Sequence, residues 1–420
     1  MSTSPTNPPD QTPPINVDEI DVFTGVFTQQ EAIPEDAIAK AVEVMQSGRL
    51  HRYNTAEGES SEVSLLEEEF AAYMHMQHCL AVASGGYAMQ LALRACGLDQ
   101  GQKVLTNAFT LSPVPGSIKA SGGEPVLVET TRDLVIDLND LESKIADSGA
   151  QILVLSHMRG HIVDMELLEQ VLVKHQVTLI EDCAHTMGAA WKGRKSGSFG
   201  KVSCFSTQTY KHINSGEGGL LVSNDSSLFA RAILLSGSYM LYQRNGTCPD
   251  ESHFESARYL MPNCSGRMDN LRAAILRPQL LNLDNNAQRW RQRYQRLEQE
   301  LQLSADLYLP TRPAAEQHVP SSLQFLVPDI SAAHANEFLQ RLKNKNVELK
   351  WFGAAEPTGF TSQHSSWRYM EAQALPVTDK VLSELFDVRL PLTFSTDDCA
   401  VLGRIISNTL TNLVADEPGG

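Results

Sequence analysis

The sequence predicts an α/β fold, with a large domain built on a mostly parallel sheet covered by helices and a smaller C-terminal α+β domain. Three observations carry this. Short apolar runs recur with helical segments between them, from Cys79 to Ser223. The runs are apolar throughout rather than alternating, as strands covered on both faces are. Near residue 280 the pattern changes to a long amphipathic helix followed by sparser strands, and 420 residues are too many for one small core. The expected divisions are a partly disordered lead-in over 1–30, a large domain over 31–280 and a small domain over 281–420.

Taken in order, Met1–Pro14 is rich in Ser, Thr and Pro, without a basic segment or an apolar core. It reads as disordered and as a poor signal peptide. Glu62–Met76 has helical spacing, with Val63, Leu66, Phe70 and Tyr73 on one face. Cys79–Ala83 reads as a buried strand, broken at Ser84-Gly85-Gly86, and Ala88–Cys96 as a helix. Strands follow at Lys103–Thr106, Glu124–Glu129, Gln151–Ser156, Val177–Glu181, Val202–Ser206 and Gly218–Ser223, with helices at Asp140–Ala146 and Met165–His175. Asp284 is placed to cap a long helix carrying Trp290, Tyr294, Leu297 and Leu301. Strands at Leu323–Val327 and Val347–Phe352 and a helix over Asp397–Leu413 complete the small domain.

Composition narrows the class. With 42% hydrophobic and 20% charged residues the chain is an ordinary globular protein. A formal charge of -16 argues against a nucleic-acid binder. The seven cysteines form no CxxC pair, which suits reduced thiols in the cytoplasm. No apolar stretch approaches the roughly 20 residues of a membrane span.

The chemistry gathers around Lys211. It follows Ser206-Thr207-Gln208-Thr209-Tyr210 and precedes Ser215-Gly216-Glu217-Gly218-Gly219, while Glu181-Asp182-Cys183-Ala184-His185 closes an earlier strand. A carboxylate at a strand end and a lysine in a Ser/Gly-rich loop are what pyridoxal 5'-phosphate requires, the lysine as covalent tether and the acid as partner of the ring nitrogen. Lys211 would then also move the substrate proton. Ser84-Gly85-Gly86, between a strand and a helix, can hold the phosphate on backbone N–H groups, and Ser206 can add a hydroxyl. His185 can cover a ring face or bond the ring hydroxyl, and Phe109 can stack on the ring. Each residue alone has a plainer alternative: a tight turn, a helix-capping aspartate, a structural histidine, a core aromatic, a solvated lysine.

Order and spacing together resemble the pyridoxal phosphate-dependent sugar aminotransferases of the DegT/StrS type, fold type I, over Ile33–Leu413. The family run E-D-x-A-(H/Q)-x-x-G-A is met by Glu181, Asp182, Ala184, His185, Gly188 and Ala189, and continues through Gly193, Arg194, Gly197 and Gly200. Its C-F-S…K-x-(I/L)-x-(T/S)-G-E-G-G run is met by Cys204, Phe205, Ser206, Lys211, Ile213, Ser215, Gly216, Glu217, Gly218 and Gly219. The resemblance implies Lys211 as the catalytic residue, Asp182 at the ring nitrogen, L-glutamate as donor, an oxo-sugar as acceptor, and a homodimer with shared active sites. Lysine rather than histidine at 211 favours transamination over sugar dehydration.

Three departures bear on the site. The phosphate turn ends in Gly86 where the family usually has threonine. The family's Asn-x-Arg-Met run, which reaches the neighbouring subunit, reads Asn263-Cys264-Ser265-Gly266-Arg267-Met268, so Asn263 or Ser265 is the phosphate contact and Arg267 a substrate contact. Finally, Ser156-His157-Met158-Arg159-Gly160-His161 makes Arg159 and His157 substrate candidates, Arg159 as a bidentate partner for a carboxylate or else a structural ion pair. Met-Arg-Gly-His, Ser-Thr-Gln-x-Tyr-Lys and Arg-Met-x-Asn together are similar to members that aminate an octulosonate, a lipopolysaccharide sugar acid. Nucleotide-linked ketosugars, PLP-dependent dehydration and a non-catalytic regulator on the same fold stay open as alternatives.

Overall fold

The computed structural model describes residues 21–416 except 57, 239, 360 and 362. The lead-in expected over Met1–Pro14 lies outside the described residues. The large sheet is built from β1 (His78–Val82), β2 (Lys103–Asn107), β3 (Glu124–Val128), β4 (Ile152–Ser156) and β5 (Thr178–Asp182). A small hairpin, β6 (Ala190–Trp191) and β7 (Arg194–Lys195), precedes β8 (Val202–Ser206) and β9 (Gly219–Ser223). The sheet order is β1-β9-β8-β5-β4-β2-β3. Parallel pairing runs from β8 to β3, and β9 is antiparallel to both of its neighbours. A parallel neighbour needs a crossover helix. Residues 207–218 contain none, so the chain turns back beside β8, and Lys211 sits in that return loop.

Strand residues divide between two cores with period two. Leu80, Val82, Val104, Ile152, Val154, Ile180, Val202, Cys204 and Leu221 face the helices Gly85–Ala95 and Ser226–Leu235. On the other face, Leu105, Leu153, Leu155 and Leu179 enter one cluster, and Cys79, Ala81, Phe205, Leu220 and Val222 enter another with the helices Glu62–Met74 and Asn270–Leu281. This double cover is why the runs are continuously apolar.

A two-residue strand, β10 (Glu316–Gln317), pairs with β6. The small sheet follows, with β11 (Ser322–Leu326), β12 (Leu349–Trp351) and β13 (Leu385–Arg389) in the antiparallel order β11-β13-β12. Its apolar face carries Leu323, Phe325, Trp351, Phe386 and Val388, covered by the helices Leu283–Leu301, Ala332–Asn344 and Thr396–Ala415. The segment from residue 21 joins this core, Phe23 and Phe27 meeting Phe394 at ring distances of 5.0 and 5.1 Å.

Asp284 does not cap the long helix. The preceding helix ends at Leu281 and the next begins at Leu283, so the start is a joint between two helices, with no side-chain cap at Asn282. The Asp284 carboxylate instead accepts from Tyr73 Oη at 2.7 Å.

Candidate active site

The C-terminal ends of β4, β5 and β8 open into a cavity of about 520 Å³, the position at which open α/β sheets bind ligands. Ser84, Gly85, Gly86, Arg159, Asp182, His185, Ser206 and Lys211 all line it. A larger groove of about 650 Å³ runs past Arg52, Glu59 and Arg244, and none of the candidate cofactor or substrate residues lines it.

Asp182 is the last residue of β5. Its Oδ2 accepts from Ser156 Oγ at 2.8 Å and its Oδ1 from the Ala184 amide at 3.1 Å. The neighbouring Glu181 points the other way and is wholly buried, accepting from the amides of Gly197, Phe199 and Gly200 at 3.0, 2.8 and 2.6 Å. These bonds pin the end of the strand and so aim Asp182.

Lys211 is half-buried, with Nζ 2.8 Å from Nε2 of His185. Burial pushes its amine down from the usual 10.5 to about 8; Asp182 opposes the shift, and Arg159 and Arg389 add to it. His185 is held well below the usual imidazole range by burial, then by Lys211 and Arg159, and is therefore neutral. Its Nδ1 accepts from the Arg159 amide at 3.3 Å, which puts the imidazole proton on Nε2, directed at Lys211. Above about pH 8 the lysine is the free base, which can accept that bond and is the form that attacks an aldehyde.

Arg159 delivers that amide from a left-handed backbone, φ 54°, and Gly160 follows at φ 79°. The arginine conformation costs about 1–2 kcal/mol. A Cβ at Gly160 would stand 3.2 Å from the His185 carbonyl oxygen, so glycine lets the turn lie close against His185.

The turn Ser84-Gly85-Gly86 opens the helix Gly85–Ala95, with Ser84 Oγ accepting from the Tyr87 amide at 3.1 Å. Two contacts hold it. A Cβ on Gly85 would meet Ser206 Cβ at 3.0 Å, and one on Gly219 would meet the Ser84 carbonyl carbon and oxygen at 2.4 Å. Bare glycines thus bring the helix N-terminus against the ends of β8 and β9. At Gly86 the nearest atoms to an added Cβ are 4.0 Å away, so no packing demands glycine there. The residues present fit pyridoxal phosphate: a helix N-terminus with a glycine turn for the phosphate, a carboxylate at a strand end, and a poised amine in one cavity.

Two sequence expectations are corrected. Phe109 is 1% exposed and packs edge-on to Phe352 at 5.3 Å, inside a core with Leu134, Met158 and Leu385. It leaves the cavity wall to Thr110 and Leu111, because the chain turns inward at the end of β2. His157 is also 1% exposed and meets Glu181 Oε2 at 3.1 Å behind the strand ends, out of reach of a substrate. Asn263 and Ser265 are exposed outside their own chain's cavity, and Arg267 donates to the Gly237 carbonyl at 2.6 Å.

The sequence reading missed one wall. Ser322, Lys350, Asp387 and Arg389 come from the small sheet. Charged residues two apart in an otherwise apolar strand, Phe386-Asp387-Val388-Arg389, were the available signal. Arg159 Nη2 lies 3.2 Å from Asp387 Oδ2.

Comparison with known proteins places the chain. It is 32% identical over 183 residues to GDP-perosamine synthase of Escherichia coli O157:H7, covering 43% of this chain and 50% of that protein. It is 29% identical over 335 residues to dTDP-3-amino-3,4,6-trideoxy-alpha-D-glucose transaminase of Micromonospora megalomicea subsp. nigra, covering 78% and 83%. The chain spans about half the length of the perosamine synthase that it matches. Among solved structures, 3-amino-5-hydroxybenzoic acid synthase superposes with a TM-score of 0.77 at 22% identity, over 92% of this chain and 100% of that one. A sugar aminotransferase of Micromonospora echinospora gives 0.75 at 21%, over 91% and 99%. These two show the shared fold, fold type I. The match to the DegT/DnrJ/EryC1/StrS aminotransferase family extends over residues 31–406, and the chain belongs to that pyridoxal phosphate-dependent family.

Proposed function

We propose that the protein is an aminotransferase that moves an amino group from L-glutamate to an oxo-sugar. The observation that carries this reading is the meeting of the Lys211 amine, neutral His185 and Asp182 in one cavity beside a glycine-turn helix N-terminus. Asp182 would hold a proton on the ring nitrogen, and the helix N-terminus of Gly85–Ala95, with Ser206, would hold the phosphate. When bound, pyridoxal phosphate supplies an electron-withdrawing ring that acidifies the C–H bond next to the substrate nitrogen. Lys211, released as a free amine, would take that proton on Nζ and give it back two bonds away, across the substrate nitrogen. His185 donates through Nε2 and keeps the amine oriented between the two positions. Glutamate reacts first and leaves as 2-oxoglutarate, and the sugar carbonyl accepts the amine by the same residues in reverse.

The acceptor that we propose is 3,8-dideoxy-8-oxo-manno-octulosonate, for lipopolysaccharide synthesis. Support comes from Arg159 on the cavity wall, whose Nε and Nη2 are buried without a hydrogen-bond partner. Nucleotide-linked ketosugars are the competing acceptors. The working unit in this reading is a cytoplasmic homodimer, with Asn263 or Ser265 and Arg267 serving the partner's site. No described helix is long and apolar enough to cross a membrane, and none of the seven cysteines is paired.

The test is an absorbance spectrum of the purified holoenzyme before and after L-glutamate, without acceptor. Conversion of the bound cofactor to its amine form is expected. A spectrum that ignores glutamate would overturn the donor assignment and revive elimination chemistry.

A further inference from the structure

The turn that aims His185 is strained and buried, so its surroundings must hold it. Arg159 and Gly160 both have positive φ, and Gly160 and Ile162 lie inside the protein. Backbone of this kind persists only where the structure around it over-determines it. The turn's own bonds are local. The Gly160 amide donates to the His157 carbonyl at 3.0 Å, and the His161 amide to the Met158 carbonyl at 3.2 Å. Both stay within the turn, so neither fixes it against the rest of the fold.

Three groups from a distant segment do. Arg312 Nη1 donates to the Gly160 carbonyl at 3.0 Å. Gln324 Oε1 lies 2.8 Å from His161 Nε2. Glu316 Oε1 accepts from the Ile162 amide at 3.3 Å. Arg312 and Glu316 also bond each other at 2.9 Å, with side chains 9% and 1% exposed. A buried ion pair is weak evidence for stability, because taking two charges out of water can cost more than their attraction returns. This pair does something else. Its donor and its acceptor are both shared with the backbone of the turn, one at each end. Glu316 is itself anchored, pairing with Trp191 of β6 in the hairpin that follows the His185 loop. The pair therefore ties the loop after β4, which carries Arg159, to the loop after β5, which carries His185.

We propose that Arg312 and Glu316 are positioning residues. By gripping the turn at Gly160 and Ile162, they hold the Arg159 amide on His185 Nδ1 and so keep the His185 proton on Nε2, facing Lys211. The other tautomer would set two N–H donors face to face across 3.3 Å. Once the turn is released, that penalty goes, and a neutral imidazole can carry its proton on either nitrogen. The inference deepens the aminotransferase reading and rests on it for what Lys211 does next.

The test replaces both charges together, Arg312→Met with Glu316→Leu, so that neither is left buried alone. Arg312→Met by itself is the second variant, in which Glu316 can take up a proton. Circular dichroism confirms folding. Nuclear magnetic resonance of full-length, cofactor-free protein with isotope-labelled histidine is recorded above about pH 8, where Lys211 is the free base. The His185 nitrogen signals, assigned by their loss in His185→Gln, are expected to show the Nε2–H tautomer in wild type and a mixture in both variants. In the holoenzyme, glutamate-driven conversion of the cofactor is expected to slow by about tenfold to a hundredfold, as misplacing a reacting group by about 1 Å does. An Nδ1–H tautomer in wild type, or signals that stay wholly Nε2–H in a folded variant, would overturn the proposal. So would a changed tautomer with an unchanged rate. Failure of the underlying reading is separate: the tautomer shifts in the variants, while the wild-type holoenzyme spectrum ignores L-glutamate.

Discussion

Gly219→Ala tests how the phosphate turn is held. The added Cβ would stand 2.4 Å from both the carbonyl carbon and the oxygen of Ser84, and 2.6 Å from the Gly85 nitrogen. Nonbonded carbons settle at about 3.5–4.0 Å, so the turn must retreat by about 1 Å. The obstacles are backbone atoms, not a flexible side-chain end, so nothing local can absorb the shift. Overpacking of this kind costs about 1–3 kcal/mol. At about 1.4 kcal/mol per factor of ten, cofactor affinity should fall between about fivefold and a hundredfold. Gly86→Thr is the matched control. Its Cβ meets nothing nearer than 4.0 Å, and the substitution returns the hydroxyl that related turns carry. The assay is fluorescence titration of cofactor-free protein with pyridoxal phosphate, with circular dichroism to confirm folding. The expected order of affinity is Gly86→Thr at or above wild type and Gly219→Ala well below it. A Gly219→Ala protein that binds within about twofold of wild type would show that the contact with β9 does not shape the phosphate site.

Other expectations follow from the same geometry. Asp182→Asn should keep the fold but slow glutamate-driven conversion of the cofactor by at least about 100-fold in stopped-flow absorbance, because the ring nitrogen loses its anionic partner; a near wild-type rate would remove Asp182 from that role. In cofactor-free protein, covalent capture of pyridoxal phosphate should speed up with pH through about 8 rather than 10.5 as Lys211 loses its proton. The sign for stability follows too. Between those values the unfolded chain holds a proton that the folded chain has released, so the Lys211 contribution to stability rises with pH across that window. Glu67→Ala should cost about 3–5 kcal/mol in urea unfolding, because Glu67 is the bidentate partner of the buried Arg52, at 3.0 and 2.8 Å, and also accepts from the Ala81 and Gly246 amides. A loss under about 1 kcal/mol would mean that Arg52 finds another partner.

The parts of this protein that were legible in its sequence are those that local pattern controls. Continuous apolar runs such as Ile152–Ser156 and Thr178–Asp182 announce doubly covered strands, and the polar residues at their ends lie at the sheet's ligand-binding edge because a strand places its last side chain where the next loop begins. Spacing in the Glu181–His185 and Cys204–Gly219 runs likewise carried Asp182, His185, Ser206 and Lys211 to one cavity. Tertiary structure decided what local pattern leaves open. Phe109 sits two residues past a strand end, close to where site residues lie, yet Phe352, far along the chain, draws it into the core. His157 neighbours Arg159, yet a buried carboxylate captures it behind the sheet. The reversal of β9 depended on the helix-free loop before it, and the cationic wall depended on a second sheet turning its polar face toward the first domain. Periodicity says which residues share a face. What that face meets is set by contacts between segments hundreds of residues apart, which only the folded chain brings together.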